Sequence, residues 1–160
     1  TQRKTREYGY SFFQMMNGDF TYAQPPEFLD ELGKEVCKAL GRPETQFSNF
    51  ILSLYEPGFH LEPHVDMDRS EFEKHGFCWG EEVFGVIIEP DITGRLYYVQ
   101  HEASDSLPPL NLSHVYELQE DAGTVFMMKG KFRHAPYNHG VSEVSRHRIS
   151  VTFRTTEIKK

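Results

Sequence analysis

Arg148-Ile149-Ser150-Val151-Thr152-Phe153-Arg154 is the most informative stretch of this 160-residue chain. Apolar and polar residues alternate with period two, the pattern of a strand with two unlike faces. Ile149, Val151 and Phe153 share one face and are expected to pack on a core layer. Arg148, Ser150, Thr152 and Arg154 share the other, which carries two guanidinium groups and two hydroxyls. A solvated face is one reading of that pattern. A strand lining a pocket for a dicarboxylate is the other, because guanidinium groups bind carboxylates bidentately.

Upstream, FSNFILSLY (47–55), EEVFGVIIEP (81–90), RLYYVQ (95–100), HVYELQ (114–119) and GTVFMMKG (123–130) read as further strands. KFRHAPYNHGV (131–141) reads as a connection entering another. With HLEPHVDMD (60–68) and the final strand, about eight strands follow one helix, which suggests a sandwich or barrel. The helix is EFLDELGKEVCKAL (27–40): Phe28, Leu29, Leu32, Val36 and Leu40 recur at helical spacing, Pro25-Pro26 precede it, and Gly41 and Pro43 stop it. Tyr8–Met15 and Phe20–Tyr22 are predicted to form a hairpin around Asn17-Gly18-Asp19. The stretch from Arg69 to about Gly80 has little periodicity, and HEASDSLPPLNLS (101–113) reads as a surface loop.

Seventeen basic against 24 acidic residues give a net charge of −7, which is ill suited to indiscriminate binding of phosphate backbones. No run of about 18 apolar residues is present, so no membrane-spanning helix is expected. TQRKTREYGY at the start has no apolar stretch of the secretory kind. Cys37 and Cys78 do not form a disulfide framework and are expected as buried thiols in a reducing compartment, cytoplasm or nucleus.

His64-Val65-Asp66 is the first candidate for chemistry. On a strand, positions i and i+2 point to the same side, so an imidazole and a carboxylate would share one space. A facial triad for non-haem Fe(II) needs a second imidazole from a distant segment. Both His134 and His139 are available for it.

Taken in order, H-x-D, a distal His and the paired arginines of RISVTFR resemble the AlkB-like family of Fe(II)/2-oxoglutarate-dependent dioxygenases, from about Arg6 to Arg154. Tyr55-Glu56-Pro57-Gly58 leading to His64, and Gly123-Thr124-Val125-Phe126 leading through Arg133 to His139-Gly140-Val141, carry the rest of the resemblance. It implies an all-β core with a flanking helix, the double-stranded β-helix or jelly roll, in one catalytic domain spanning 1–160. The core would span 47–155, and 1–24 would be a reduced or truncated substrate-recognition lid. His64, Asp66 and His139 would bind Fe(II). His139 is preferred to His134 because His-Gly followed by a branched apolar residue matches the family's metal histidine. Arg148 would pair with the distal carboxylate of 2-oxoglutarate, Tyr55 and Ser150 would donate to the cosubstrate, and Arg154 would lie near its other end or near the metal carboxylate. Ser53 stands where the family has Asn, so its contact would run through water. O2 completes the reactants. Asp68 would meet the amine of a flipped base, and Tyr8 or Tyr10 would stack on it. The implied reaction is oxidative demethylation of N-alkylated bases in DNA or RNA, releasing formaldehyde, succinate and CO2. A protein side chain or small molecule is the alternative substrate. Lys129, Lys131, Arg133 and Arg146 are expected at a basic rim, and the chain is expected to act as a monomer.

Overall fold

Short strands separated by turns leave half-apolar faces that must be buried, and here two antiparallel sheets bury them against each other and against a helix. The computed structural model describes residues 3–100, 115–134 and 137–160, so the predicted loop 101–113 lies outside the described residues. β1 (Lys4–Tyr10), α1 (Phe12–Met16), β2 (Tyr22–Ala23) and α2 (Glu27–Ala39) come first. β3 (Asn49–Tyr55), β4 (Leu61–His64), α3 (Phe72–His75), β5 (Phe77–Glu89), β6 (Leu96–Gln100) and β7 (Val115–Glu117) follow. β8 (Val125–Met128), β9 (Tyr137–Val141) and β10 (Arg148–Ile158) complete the chain. The larger sheet has the order β2-β1-β3-β10-β5-β8 and the smaller one β4-β9-β6-β7. From β3 onward the chain passes back and forth between the sheets, with β6 and β7 paired together in the smaller one, which winds it into a double-stranded β-helix.

β10 sits between β3 and β5, so both of its edges are hydrogen-bonded. Val151 and Phe153 join Phe47, Phe50 and Phe84 beneath Leu29, Val36 and Cys37 of α2. Burying each Leu or Val of that helix contributes about 1.5–3 kcal/mol. Gly33 lets α2 approach closely, because a Cβ there would stand 3.0 Å from the Phe47 ring. The opposite face of β10, with its arginines and hydroxyls, looks into the space between the sheets, and Arg148, Ser150 and Arg154 are all buried there. The solvated-face reading therefore fails.

Three local expectations need correction. The predicted hairpin is a β1–β2 pairing at Gly9↔Ala23 and Tyr10↔Tyr22, with a short helix where Tyr8–Met15 was expected to run on as strand. Gly9 takes φ +76° and its missing Cβ admits the Ser48 carbonyl, which turns the chain out of β1. β5 begins at Phe77 rather than Glu81, because Phe77, Cys78, Trp79 and Gly80 are all buried and so show no alternation. β4 ends at His64, so Asp66 is not placed by strand alternation. Cys37 and Cys78 are free and buried, and no helix among the described residues is long and apolar enough to cross a membrane.

Candidate metal centre

β4 and β9 pair so that His64 stands directly opposite His139. Cross-strand partners bring their side chains within reach of one another, and the two imidazole centroids lie 4.4 Å apart. Pro63 is tolerated in β4 because the strand is at the edge of its sheet. Nδ1 of His64 lies 2.8 Å from the Glu62 carbonyl and donates to it, which aims Nε2 at Asp66 and makes Nε2 the atom placed to be a ligand. One ligand atom from each of His64, Asp66 and His139 falls within 4.8 Å of the others.

Asp66 lies beyond the end of β4 and is held by two arginines from far along the chain. Arg154 of β10 donates to Oδ2 through Nε at 2.8 Å, and its Nη2 completes the ion pair at 2.7 Å. Oδ1 is left facing the imidazoles, 3.2 Å from His64 Nε2 and 3.5 Å from His139 Nε2. Arg133 donates to the main-chain carbonyls of Asp66 and Met67 at 2.9 and 3.0 Å and to Gly80 of β5. Burial opposes ionisation of Asp66, but the Arg154 charge and the hydrogen bonds of the two histidines outweigh it and hold the carboxyl well below its usual range. Burial pushes His139 down despite Asp66, which favours the neutral imidazole that a metal requires. Two imidazoles and one carboxylate converging from one side fit a divalent iron ion, with the remaining positions open.

Arg148 and Glu120 form a second buried ion pair between the sheets. Nε and Nη2 of Arg148 donate to the two oxygens of Glu120 at 2.9 and 2.7 Å, and Leu96 N–H donates to the same carboxylate at 2.9 Å. Nη1 of Arg148 reaches Ser150 Oγ at 3.4 Å, and the guanidinium lies 5.3 Å from the Tyr55 ring centroid. Ser53 pairs with Ser150 across β3 and β10. The structure therefore brings Tyr55, Ser53, Ser150 and Arg148 together on the inner face, with Arg154 further along the same strand at the metal carboxylate.

The remaining sequence candidates lie elsewhere. Asp68 accepts from Ser70 N–H and Oγ–H and pairs with His134 at 2.8 Å. Burial opposes ionisation of Asp68, but these hydrogen bonds lower its pKa to about 2. His134 also contacts Glu81 and stands outside the triad. Tyr8 packs on the α2 side of the large sheet, because alternation along β1 turns Thr5 and Glu7 inward and Tyr8 outward. Tyr10 packs near Met15 and Phe77 and makes an edge contact with Tyr22. Arg133 is 1% exposed, so it cannot belong to a basic rim. A cavity of about 510 Å³ opens on the centre. Its walls are Phe12, Phe13, Ile51, Leu61, Met67 and Trp79, with Arg3, Thr5, Glu7 and Glu62 as the polar groups away from His64, Asp66 and Arg154. The role of Arg133, and Glu120 and Trp79 altogether, have no sequence signal: a buried Arg that binds carbonyls has no periodic signature, and Glu120 reads as a turn residue.

No protein-family model matches the chain, and no curated protein matches its sequence. Among solved structures, OsALKBH1 superposes with a TM-score of 0.62 at 15% identity, over 97% of this chain and 79% of that one. The fold is AlkB-like. A prolyl-4-hydroxylase from Pseudomonas putida also matches, with a TM-score of 0.48 at 16% identity, over 96% of this chain and 72% of its own. In this AlkB-like fold the inner face of the large sheet and the paired strands β4 and β9 together surround the triad.

Proposed function

We propose that the chain is an Fe(II)/2-oxoglutarate-dependent dioxygenase that removes a methyl group from nitrogen. The observation that carries this reading is the convergence of His64, Asp66 and His139 beside a strand with two inward-facing arginines. Those three residues would hold the iron, which with bound cosubstrate and O2 supplies C–H oxidation coupled to decarboxylation of 2-oxoglutarate to succinate and CO2. Arg154 fixes one oxygen of Asp66 and so leaves the other for the metal. Arg148 spends Nε and one N–H of Nη2 on Glu120, which leaves Nη1 and the second Nη2 proton for a cosubstrate carboxylate beside Ser150 and Tyr55. The apolar walls of the cavity exclude water and hold the reacting carbon. Hydroxylation of an N-methyl group gives a hemiaminal, which releases formaldehyde and the free amine.

Two substrate classes follow from this chemistry: N-alkylated bases in DNA or RNA, and an N-methylated side chain or small molecule. The cavity favours the second. Glu7 and Glu62 line it, and Phe12, Phe13 and Trp79 offer aromatic faces to a cationic methylamine. Among the lining residues only Arg3 and Arg154 are cationic, and Arg154 is spent on Asp66. A phosphate backbone would find little to neutralise it at that mouth. The test incubates iron-loaded protein and 2-oxoglutarate with methylated oligonucleotides and, separately, with N-methyllysine peptides and free N-methylamines. Formaldehyde release from an amine but not from the oligonucleotides is expected, and the reverse outcome restores the nucleobase reading. His64→Ala and Asp66→Ala should lose metal binding and all turnover while retaining the wild-type circular dichroism. Activity surviving in either variant refutes the metal assignment.

A further inference from the structure

Three arginines meet the space between the sheets: Arg3, Arg148 and Arg154. Two of them are neutralised from within the protein, Arg148 by Glu120 and Arg154 by Asp66. Arg3 is not: among the described residues it makes no ion pair, and its one side-chain hydrogen bond is from Nη1 to Ser53 Oγ at 3.2 Å. It nevertheless lines the cavity that His64 and Asp66 also line, just before β1 and near its inward-facing Thr5. A guanidinium turned into a cleft without a carboxylate is a carboxylate-binding group lacking its ligand.

We infer that Arg3 binds a carboxylate of the cosubstrate; this rests on the dioxygenase reading above. Position selects the cosubstrate over a substrate anion. Ser53, which Arg3 contacts, is the cross-strand partner of Ser150, and Ser150 accepts from Arg148. Arg3 therefore reaches the same patch of inner face as Arg148, from the strand on the other side of β3. The short side chain of Ser53 leaves room for it there. Charge balance points the same way. 2-Oxoglutarate carries two carboxylates, whereas the inner arginines at this patch hold only one internal counter-charge, that of Glu120. With Arg3 on the cosubstrate, the cavity's carboxylates for a cationic substrate are Glu7, which also accepts from Phe12 N–H, and Glu62, which also pairs with His60.

Calorimetric titration of 2-oxoglutarate into Mn(II)-loaded protein without O2 tests this independently of turnover. Arg3→Ala should weaken binding by about tenfold or more, the loss expected for a charge-assisted hydrogen bond. Arg3→Lys should retain part of the affinity, which also guards against a folding defect in the alanine variant. Lys4→Ala, whose side chain pairs with Glu56 instead, should bind as the wild type does. Wild-type affinity in Arg3→Ala overturns the assignment and leaves the dioxygenase reading standing. No binding of 2-oxoglutarate to the wild-type protein overturns both.

Discussion

Single arginines decide the geometry at the centre, and only some of them could be read from sequence. Arg148 and Arg154 were legible because strand alternation sets their direction without any knowledge of partners. Arg133 was not, since its partners are the carbonyls of residues distant in sequence. By fixing the Asp66 and Met67 carbonyls to Gly80 it holds a ligand that no strand positions. Arg133→Lys keeps the charge but not the planar fork. It should weaken Mn(II) binding by about ten- to a hundredfold, as loss of an outer-shell contact does, measured by titration of the metal-free protein. Glu120 is the complementary case. Removing it leaves Arg148 charged, buried and without its bidentate partner, and Leu96 N–H without an acceptor. Glu120→Ala should therefore destabilise the protein by about 3–5 kcal/mol, read from the urea midpoint at constant slope. Arg148→Ala should raise the 2-oxoglutarate requirement far more than Arg146→Ala, in which the altered side chain lies before β10; equal effects would put the cosubstrate elsewhere.

At the scale of elements, the pairing of β4 with β9 converts two sequence-distant histidines into neighbours. That pairing depends on Gly140. A Cβ at this position would stand 2.5 Å from the Leu61 carbonyl of β4 and 2.9 Å from the Tyr97 hydroxyl of β6. The glycine after the metal histidine thus has a steric cause: β9 is flanked on both sides at van der Waals distance. Gly140→Ala should push β4 away and separate His64 from His139, so Mn(II) affinity should fall while α2 and its packing on the large sheet persist. Calorimetry with near-ultraviolet circular dichroism checks this, and unchanged affinity would show that the register tolerates the displacement. The same element shows where sequence reading stops. H-x-D was expected to act through strand alternation, yet β4 ends at His64 and Asp66 is aimed by Arg154 instead. Alternation was a sound guide for β10, whose faces meet a helix layer and a polar cleft. It failed for the start of β5, where Phe77 to Gly80 are buried on both sides and the period vanishes. It failed again near the end of β1, where a positive φ at Gly9 rather than a polarity pattern redirects the chain one residue before the strand ends.

For the whole molecule, buried carboxylates tie the two sheets and their turns together, and this makes stability depend on acid. Asp91 is the main tie away from the centre. It accepts from the N–H groups of Thr93, Gly94, Ser145 and Arg146, joining the β5–β6 turn to the segment that leads into β10. Burial opposes its ionisation, but those N–H donors outweigh it and hold its pKa below the ordinary range. Asp66 and Asp68 are depressed as well. A carboxyl whose pKa is lowered on folding contributes stability that is complete above its unfolded value of about 3.9 and lost as pH falls through the folded value. His134 runs the opposite way. Burial lowers its pKa, but Asp68 and Glu81 raise it further, so its contribution is present below about pH 6.5 and fades as pH rises past the folded value. His139, whose pKa burial lowers, costs stability as pH falls below about 6.5, so the urea midpoint should decline below that pH and drop steeply below pH 4. Asp91→Asn should be less stable at neutral pH and lose less on acidification, because the variant has no charge at that position to lose. Parallel pH profiles for variant and wild type would mean that the acid dependence resides in Asp66 and Asp68, at the metal centre rather than at the turn.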